Sequence, residues 1–214
     1  MSKPVVIIGA GGHARVVIDT LRRLQRSIHG VLDPALAPGT LAHGALVLGD
    51  DDWLSGAHIE DFELVNGLGL LPSRPSLRMQ SFVRAKAMGF GFASVVHPGA
   101  ILADEVWIEE GAQIMAGAVL QPGVTVGPNA LVNTRVTLDH DCLVGAHAHI
   151  GPGAVLCGEV KVGVRAFVGA GAVIIQGVSI GAGAQIAAGA TVTRDIPASV
   201  RYIPGQDAKP IESE

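Results

Sequence analysis

Between residues 96 and 197 the chain places an aliphatic residue at every sixth position. Starting at Val96 and stepping by six, all 17 residues reached are Val, Ile or Leu. The residue four places further on in each hexad, from Ala100 to Ile196, is also small or medium-sized and apolar. If about a quarter of positions were Val, Ile or Leu at random, the first series would arise with a probability on the order of one in ten billion. Few folds are compatible with so regular a repeat.

A period of six does not match the 3.6-residue period of an α-helix, but it matches short strands joined by corners. Two inward positions per hexad, one aliphatic and one small, describe one face of a narrow prism. With three faces per coil, each coil takes about 18 residues and the repeat forms nearly six coils. Glycine often follows the aliphatic residue, near a corner where we expect backbone freedom to be needed; these glycines are Gly127, Gly145, Gly151, Gly163, Gly169 and Gly181.

This pattern resembles the left-handed parallel β-helix of the hexapeptide acyltransferases, over about half of the chain. The resemblance implies a homotrimer, with acetyl-CoA lying between neighbouring helices. The left-handedness of the β-helix is implied by the resemblance alone, because the general rule for parallel crossovers favours right-handed connections. A repeat that serves only as a scaffold is the alternative.

Composition limits the other functions open to the chain. Apolar residues make up 49% and aromatic residues 4%, with 29 glycines, so we expect a core of small and aliphatic side chains rather than large rings. The net charge is −4 and no basic run occurs, which argues against a nucleic-acid partner. Residues 1–3 show no cleavable signal, and two cysteines are too few for a disulfide framework, so we predict a cytoplasmic protein.

Residues 166–193 contain no charged side chain, a length that would suffice for a membrane span. Glycines interrupt this stretch at near-regular intervals, and it contains Gln176 and Gln185. A soluble repeat explains the periodic apolarity better, so no membrane partner is expected.

The first 95 residues follow a different pattern. An apolar run at 4–8 precedes Gly9-Ala10-Gly11-Gly12-His13-Ala14, after which apolar residues recur at helical spacing. Strand, glycine loop and helix form the arrangement in which N–H groups at a helix start face an anion. The loop satisfies G-x-G-x-x-A, and a second strand at about 28–32 ends at Asp33, near the spacing of a ribose-binding acid. A turn acid ahead of Pro34 is the alternative role for Asp33. The apolar helix positions are Val16, Val17, Leu21 and Leu24.

A third strand is expected at 62–65, ending in Asn66-Gly67, and a helix from Pro75 to about Met88. Its candidate core positions are Leu77, Phe82 and Val83. Three or four parallel strands fit into this length, whereas a full dinucleotide fold needs two such halves, so a dehydrogenase is disfavoured. We therefore predict an α/β Rossmann-like βαβ domain (1–95), an all-β left-handed parallel β-helix (96–197) and a C-terminal tail (198–214).

The combination of both halves resembles the bacterial nucleotide-sugar N-acetyltransferases, which are grouped with sialic-acid O-acetyltransferase-like proteins. The similarity runs to the closing Ile-Pro-Gly-Gln-Asp-Ala-Lys at 203–209, where Asp207 stands in place of the usual proline. It implies that the N-terminal domain binds a nucleotide-activated amino sugar. The matching positions are Gly11, Gly12, His13, Asp33 and Gly67.

His140 lies between two acids, Asp139 and Asp141. It falls two residues after inward Leu138 and two before inward Cys142, so we expect a corner to expose it. Histidine titrates near working pH, and an adjacent carboxylate can stabilise its cationic form. The related enzymes carry His followed by Glu or Asp, which implies His140 as the general base and Asp141 as its helper, with Asp139 in reserve. An exposed corner histidine without function is the alternative.

His149 corresponds to a family histidine beside acetyl-CoA, which would polarise the thioester oxygen. CoA should run along the helix axis past equivalent corners. Stepping by 18 from Pro152 gives Ala170 and Ala188, whose small side chains leave space for the pantetheine arm. Gly158 is a further expected neighbour of CoA.

A metal site must be weighed because His140, Cys142, His147 and His149 are close in sequence. Cys142 occupies an inward position suited to a small hydrophobe, and the three histidines fall at different places in their hexads. No metal is therefore expected, although these histidines could still meet across a trimer interface. Three other histidines lie in polar or loop contexts and are expected to be solvated, without a function: His29, His43 and His58.

The resemblance implies N-acetylation of the 4-amino group on a nucleotide-linked 4-amino-4,6-dideoxy sugar, with acetyl-CoA as donor. Direct attack is favoured because Cys142 points inward and Cys157 lies outside the histidine cluster. GDP-perosamine and UDP-linked amino sugars are both consistent acceptors. Sialic-acid-type O-acetylation is the nearest competing reaction, and a nucleotide-binding scaffold trimer is the non-enzymatic alternative.

Overall fold

The computed structural model describes residues 3–70, 76–205 and 209–211. The chain divides into two compact units, Met1–Pro98 and Gly99–Glu214. The expected helix start at Pro75 and residues 206–208 of the closing run lie outside the described residues. Within the described part of the chain, no helix is long and apolar enough to cross a membrane.

The first unit is built around a five-stranded sheet of order β3-β4-β2-β1-β5. Strands β4, β2, β1 and β5 are parallel, and β3 runs antiparallel to β4. Three of these strands, β1, β2 and β5, are predicted from the sequence, whereas the β3–β4 hairpin is not. The elements are β1 Val5–Ile8, α1 Gly12–Arg23, β2 Ile28–Leu32, β3 Leu41–Ala42, β4 Ala45–Gly49, a 3-10 helix Asp51–Gly56, β5 Glu63–Asn66, α2 Leu77–Ala87 and β6 Val95–Val96.

Strand β1 is apolar at every position because both faces of the sheet are covered. Val6 and Ile8 belong to a buried cluster that includes four of the five phenylalanines of the chain: Phe62, Phe82, Phe90 and Phe92. The expectation of a core without large rings is therefore wrong for the first unit. It holds in the second unit, where the buried apolar residues among those that the structure describes are aliphatic apart from Met115 and Cys142.

The two helices each bury one face. In α1 the buried residues include Ala14, Val17, Ile18 and Leu21. Val83 of α2 was expected in the core but is 53% exposed, whereas Phe82 is buried as expected. The buried face of α2 follows the i, i+3, i+4, i+7 spacing, which excludes Val83; its members are Arg78, Ser81, Phe82 and Ala85.

The second unit is the predicted left-handed parallel β-helix. From Ile101 to Ile174, each short strand pairs in parallel with the strand 18 residues further on, as Leu120 does with Leu138. From Ile114 onward, every member of the aliphatic series is buried. The strands are β7 Ile101–Leu102, β8 Trp107–Ile108, β9 Gln113–Ile114, β10 Val119–Leu120, β11 Thr125–Val126, β12 Leu131–Val132, β13 Thr137–Leu138, β14 Leu143–Val144, β15 His149–Ile150, β16 Val155–Leu156, β17 Lys161–Val162, β18 Phe167–Val168, β19 Val173–Ile174, β20 Ser179–Ile180, β21 Gln185–Ile186, β22 Thr191–Val192, β23 Val200–Tyr202 and β24 Lys209–Pro210.

These strands form three faces of a prism. The first face contains β7, β10, β13, β16, β19 and β22, and the second contains β8, β11, β14, β17 and β20. The third face runs from β9 through β12, β15, β18 and β21 to β23, with β24 antiparallel to β23. We call the corners that join them the first–second, second–third and third–first edges. The closing segment thus extends the third face.

The glycines that follow the aliphatic positions are needed for a reason other than the expected backbone freedom. None of them has a positive φ. A Cβ on Gly127 would lie 2.8 Å from the backbone nitrogen of Ala146, and one on Gly151 would lie 2.7 Å from that of Ala170. These glycines are needed because the backbone of the next coil passes too close for a side chain.

Candidate active site

His140 lies on the first–second edge, at the corner between β13 and β14. The corner is held by hydrogen bonds to the coils on both sides. The Asp141 N–H donates to the Pro122 carbonyl at 3.0 Å, and the His140 carbonyl accepts from the Glu159 N–H at 2.8 Å. Asp141 has a φ of 58°, in the left-handed region that aspartate tolerates better than most residues. The neighbouring coils therefore fix where the His140 side chain begins.

The two acids beside His140 have different partners. Nδ1 of His140 lies 2.9 Å from Oδ2 of Asp141, whereas Oδ1 of Asp139 accepts the backbone N–H of His140 at 2.8 Å. A carboxylate can only accept, so Nδ1 carries the proton and Nε2 of the neutral ring keeps its lone pair. The geometry thus gives the ring a basic nitrogen, with Asp141 as the carboxylate that orients it.

The environment favours the protonated form of His140. The hydrogen bond to Asp141 raises the pKa of His140 above its usual value, and the charges of Asp139, Asp141 and Glu159 raise it further against a partial desolvation. The side chain is 46% exposed, so an incoming substrate can reach it. The neutral, basic form prevails only above this raised pKa.

Two glycines on the adjacent coils flank the pair. A Cβ on Gly158 would lie 2.6 Å from Cε1 and 3.0 Å from Cδ2 of His140, and closer still to Nε2. On the other side, a Cβ on Gly123 would lie 3.2 Å from Cγ of Asp141. Gly158 was expected beside CoA; in the structure its missing side chain leaves the space that the imidazole ring occupies.

An open cavity of about 440 Å³ lies further along the same edge. Two of its lining residues occupy the same corner position as His140 in earlier coils. Pro122 lies one coil before His140, and Asp104 lies two coils before it. The other lining residues are Ala103 and Glu105. This edge therefore offers room for a ligand close to the histidine.

Cys142 is buried inside the prism, as expected from the repeat. Its Sγ lies 3.2 Å from the carbonyl oxygen of Cys157. Burial raises the pKa of the Cys142 thiol to about 11. Because the thiolate is the nucleophilic form, this cysteine is poorly suited to carry an acyl group.

The residues expected to contact CoA do not surround His140 within one chain. His149 lies in β15 on the third face, buried, with its ring edge-on to Phe167 at a centroid distance of 5.3 Å. Ala170 and Ala188 are exposed on the third–first edge. Only Gly158 shares the first–second edge with His140.

The four residues considered for a metal are also separated. His140 lies on the first–second edge, His147 on the second–third edge, His149 on the third face and Cys142 inside the prism. Among the residues that the structure describes, no three His, Cys, Asp or Glu side chains form a group that could hold a metal ion.

A second candidate region lies in the first unit, where β1 leads into α1. Gly11 is the N-cap of α1 and Gly12 its first residue. Both are exposed, and a Cβ built on either would meet no atom within 4 Å. The first turn of α1 contains no acidic residue and its N-cap has no side-chain hydrogen bond, so the positive end of the helix is open to an anion. His13 is half-buried in the same turn.

Asp33 and Gly67 lie at the ends of the two strands that flank β1. Asp33 Oδ2 accepts the Ala10 N–H and Oδ1 accepts the Ala35 N–H, both at 2.9 Å. Asp33 therefore stabilises the turn before Pro34 and also holds the glycine loop. Gly67 is buried, and a Cβ added to it would lie 2.9 Å from Cβ of Ala14. All five residues expected to bind the substrate thus meet at the carboxyl edge of the sheet, where ligands of such folds bind.

Two residues of this region make contacts that were not predicted from the sequence. His43 is exposed, as expected, but its Nε2 lies 2.8 Å from the Ala10 carbonyl oxygen. Arg78 is buried in α2 and donates from Nη1 to the carbonyls of Asn66 (3.1 Å) and Leu68 (2.6 Å); burial lowers its pKa to about 9. The turn signal His43-Gly44 could have revealed the hairpin, whereas nothing in the pattern marks Arg78 as buried.

Comparison with known proteins places the chain in a family. The model for the PglD N-terminal domain matches residues 4–80, and that for the hexapeptide repeat of succinyl-transferase matches residues 159–194. None of the curated proteins matches significantly. Among solved structures, a histidine-to-asparagine variant of perosamine N-acetyltransferase from Caulobacter crescentus, in complex with CoA and GDP-perosamine, is 38% identical, with a TM-score of 0.87 over 99% of this chain and 97% of that chain. The chain belongs to the hexapeptide-repeat family of nucleotide-sugar N-acetyltransferases.

Further structures agree with this family. The acetyltransferase domain of PglB from Neisseria gonorrhoeae, in complex with acetyl coenzyme A, is 34% identical over 99% of this chain and 100% of that chain, with a TM-score of 0.87. WeeI from Acinetobacter baumannii, at 24% identity, shares the fold with a TM-score of 0.83 over 97% of this chain and 99% of that chain. The predicted fold class and the assignment as an acyltransferase are confirmed.

In this family member, then, the His140–Asp141 pair and the exposed start of α1 lie in separate units. The His140–Asp141 pair can move a proton, whereas the α1 edge can hold a phosphate-bearing group. Acyl transfer to a nucleotide-linked acceptor needs both functions.

Proposed function

We propose that this acyltransferase moves an acetyl group from acetyl-CoA to the 4-amino group of a nucleotide-linked 4-amino-4,6-dideoxy sugar. The observation that carries the proposal is the exposed His140 ring, whose Nδ1 is bonded to Asp141 and whose Nε2 is left as a base. Acetyl-CoA is the co-substrate, as predicted, in keeping with the CoA and acetyl-CoA bound by the relatives.

The chemistry follows from that pair. The amine nitrogen attacks the thioester carbonyl, the C–N bond forms, and Nε2 of His140 takes the proton that the nitrogen loses. Asp141 stabilises the resulting imidazolium. The C–S bond then breaks, and the proton passes from His140 to the CoA thiolate. Direct attack agrees with the buried Cys142 thiol, whose raised pKa disfavours an acetyl-enzyme.

The acceptor is proposed to bind through its diphosphate at the start of α1. The open N-terminus and the exposed Gly11 and Gly12 favour an anion there. GDP-perosamine is the first acceptor to try, because a relative binds it, and UDP-linked amino sugars are the second.

We propose that the chain acts as a homotrimer. The expected CoA neighbours Ala170 and Ala188 lie on the third–first edge, so a second copy would have to bring that edge to His140 of the first. The first face lies between these two edges, and its outward residues are all uncharged and β-branched. They are Ile101, Val119, Thr137, Val155, Val173 and Thr191, of which Ile101 is 65% and Val173 36% exposed. A cytoplasmic location stays a prediction.

The test is thiol release from acetyl-CoA against a panel of UDP-, GDP- and CMP-linked sugars. We expect turnover with an amino-sugar nucleotide, giving a product whose acetyl group resists hydroxylamine because it is an amide. A hydroxylamine-labile product would support sialic-acid-type O-acetylation instead. No turnover with any member of the panel would favour the nucleotide-binding scaffold.

His140→Asn tests the mechanism. General-base catalysis typically contributes about 10²- to 10⁴-fold, so we expect a loss of kcat of that size with both substrates still bound. Two structures of the Caulobacter crescentus enzyme carry a histidine variant and hold CoA and GDP-perosamine, which supports this expectation. His58→Asn, at an exposed histidine of the first unit, is the matched control. Undiminished transfer by His140→Asn would remove His140 as the base.

A further inference from the structure

The glycine loop of the first unit is held at Ala10 from both sides. The Ala10 N–H donates to Oδ2 of Asp33 at 2.9 Å, and the Ala10 carbonyl lies 2.8 Å from Nε2 of His43. A carbonyl only accepts, so the His43 ring must carry its proton on Nε2 and donate it. Both peptide units that flank the Ala10 Cα are thereby fixed, one by the residue that follows β2 and the other by the turn between β3 and β4.

The orientation of the next N–H follows from that bond. In a trans peptide the N–H points opposite to the C=O of the same unit. The described part of the chain contains no cis peptide, so fixing the Ala10 carbonyl toward His43 turns the Gly11 N–H to the other side. Gly11 is the exposed N-cap of α1, where the diphosphate is proposed to bind. His43 therefore orients the Gly11 N–H through the Ala10–Gly11 peptide.

His43 is itself held in place. It occupies, with Gly44, the two-residue turn between β3 and β4, with φ values of 52° and 74°. Positive φ at both positions is the requirement of a type I′ turn. The His43 carbonyl accepts from Nη2 of Arg22 at 2.8 Å, and the same nitrogen lies 2.8 Å from where a Cβ on Gly44 would be. The end of α1 thus fixes the hairpin that in turn fixes the loop at the start of α1.

We propose that His43 is a positioning residue for the nucleotide sugar, acting through the Ala10–Gly11 peptide. This inference rests on the proposed function. A loop left free to rotate would have to be ordered on binding, so loss of the bond should weaken the binding of the nucleotide sugar and leave the acetyl-transfer step intact.

The test is His43→Asn in the full chain. Asparagine followed by glycine is a preferred sequence for this turn, so the hairpin is retained, but the shorter amide does not reach Ala10. Since a hydrogen bond contributes about 0.5–1.5 kcal/mol, KM for GDP-perosamine should rise about 2- to 12-fold, with kcat and KM for acetyl-CoA unchanged. His43→Gln, which restores a long donor, should recover most of the loss, and His58→Asn is the control.

The outcomes separate two failures. If the wild-type chain turns over an amino-sugar nucleotide but His43→Asn keeps its KM, the role of His43 is wrong and the proposed function stands. If KM rises but His43→Gln does not recover it, the donor is not what matters and the inference also fails. If the wild-type chain acetylates no nucleotide sugar, the proposed function fails and this inference with it. A selective KM effect that glutamine rescues, at an unchanged melting temperature, supports the inference.

Discussion

Replacing Gly158 by alanine should displace the base without disturbing the fold. Gly158 does not have a positive φ, so alanine imposes no backbone strain there. Its Cβ would lie 2.6 Å from Cε1 of His140, whereas carbon atoms in ordinary contact are about 3.5–4.0 Å apart. The ring must therefore move by about 1 Å, and it can do so because it is the exposed end of a side chain.

The size of the effect follows from that movement. A misplacement of about 1 Å at a catalytic centre costs about 10²-fold in rate, equivalent to about 2.7 kcal/mol in the barrier. We expect kcat to fall by this factor while both KM values change little. The melting temperature should stay close to that of the wild type, since the displaced ring leaves its position toward solvent.

Steady-state kinetics with GDP-perosamine and acetyl-CoA would measure this, with Gly56→Ala as control, because a Cβ on Gly56 meets no atom within 4 Å. The decisive comparison is the double variant with His140→Asn. If Gly158 acts only by leaving room for the ring, alanine should add no further loss once the ring is gone. An equal loss in the His140→Asn background, or a selective rise in KM for acetyl-CoA, would refute the reasoning and favour direct contact with CoA.

Three further perturbations follow from the structure. Asp141→Asn replaces the carboxylate that raises the pKa of His140 by an uncharged amide, so the acid limb of the kcat/KM profile should move to lower pH and the plateau should fall. An unmoved limb would contradict the pairing. Gly127→Ala places a Cβ 2.8 Å from backbone, and overpacking of about 1–3 kcal/mol should lower Tm by about 2–4 °C per kcal/mol, whereas Gly56→Ala should not. Val173→Asp puts a charge on the uncharged outer side of the first face, and light scattering should then show monomers. Lys161→Asp, on the second face, is the control and should leave the trimer intact. A trimer that persists in Val173→Asp would place the interface elsewhere.

Much of the site could be located from the repeat register. The register placed His140 at an exposed corner and Cys142 inside, because inward and outward positions recur every six residues. The register also separates His140 from two of the expected CoA neighbours, Ala170 and Ala188, within one chain. Residues on one edge are separated by multiples of 18, and Ala170 is 30 residues from His140, so the two could not share an edge within one chain.

Other features depend on contacts that no period reports. The choice between Asp139 and Asp141 rests on backbone direction: the left-handed φ of Asp141 and the turn at the corner aim one carboxylate at the ring and the other at the His140 N–H. The hairpin carrying His43 is short, and it reaches Ala10 only because β4 pairs with β2 beside β1.

The order of residues alone was enough to establish the β-helix and the strand–loop–helix at the start of the chain. Each inward position of the repeat meets the same surroundings in every coil, so the requirement for a buried aliphatic side chain is written into the sequence at a constant spacing. Only the tertiary structure showed why glycine is needed at 127 and 151 and which acid bonds to the His140 ring. It also showed which side chains bond to the Ala10 backbone. These features depend on distances of 2.7 to 2.9 Å, most of them between segments far apart in the chain. A local pattern does not record such distances.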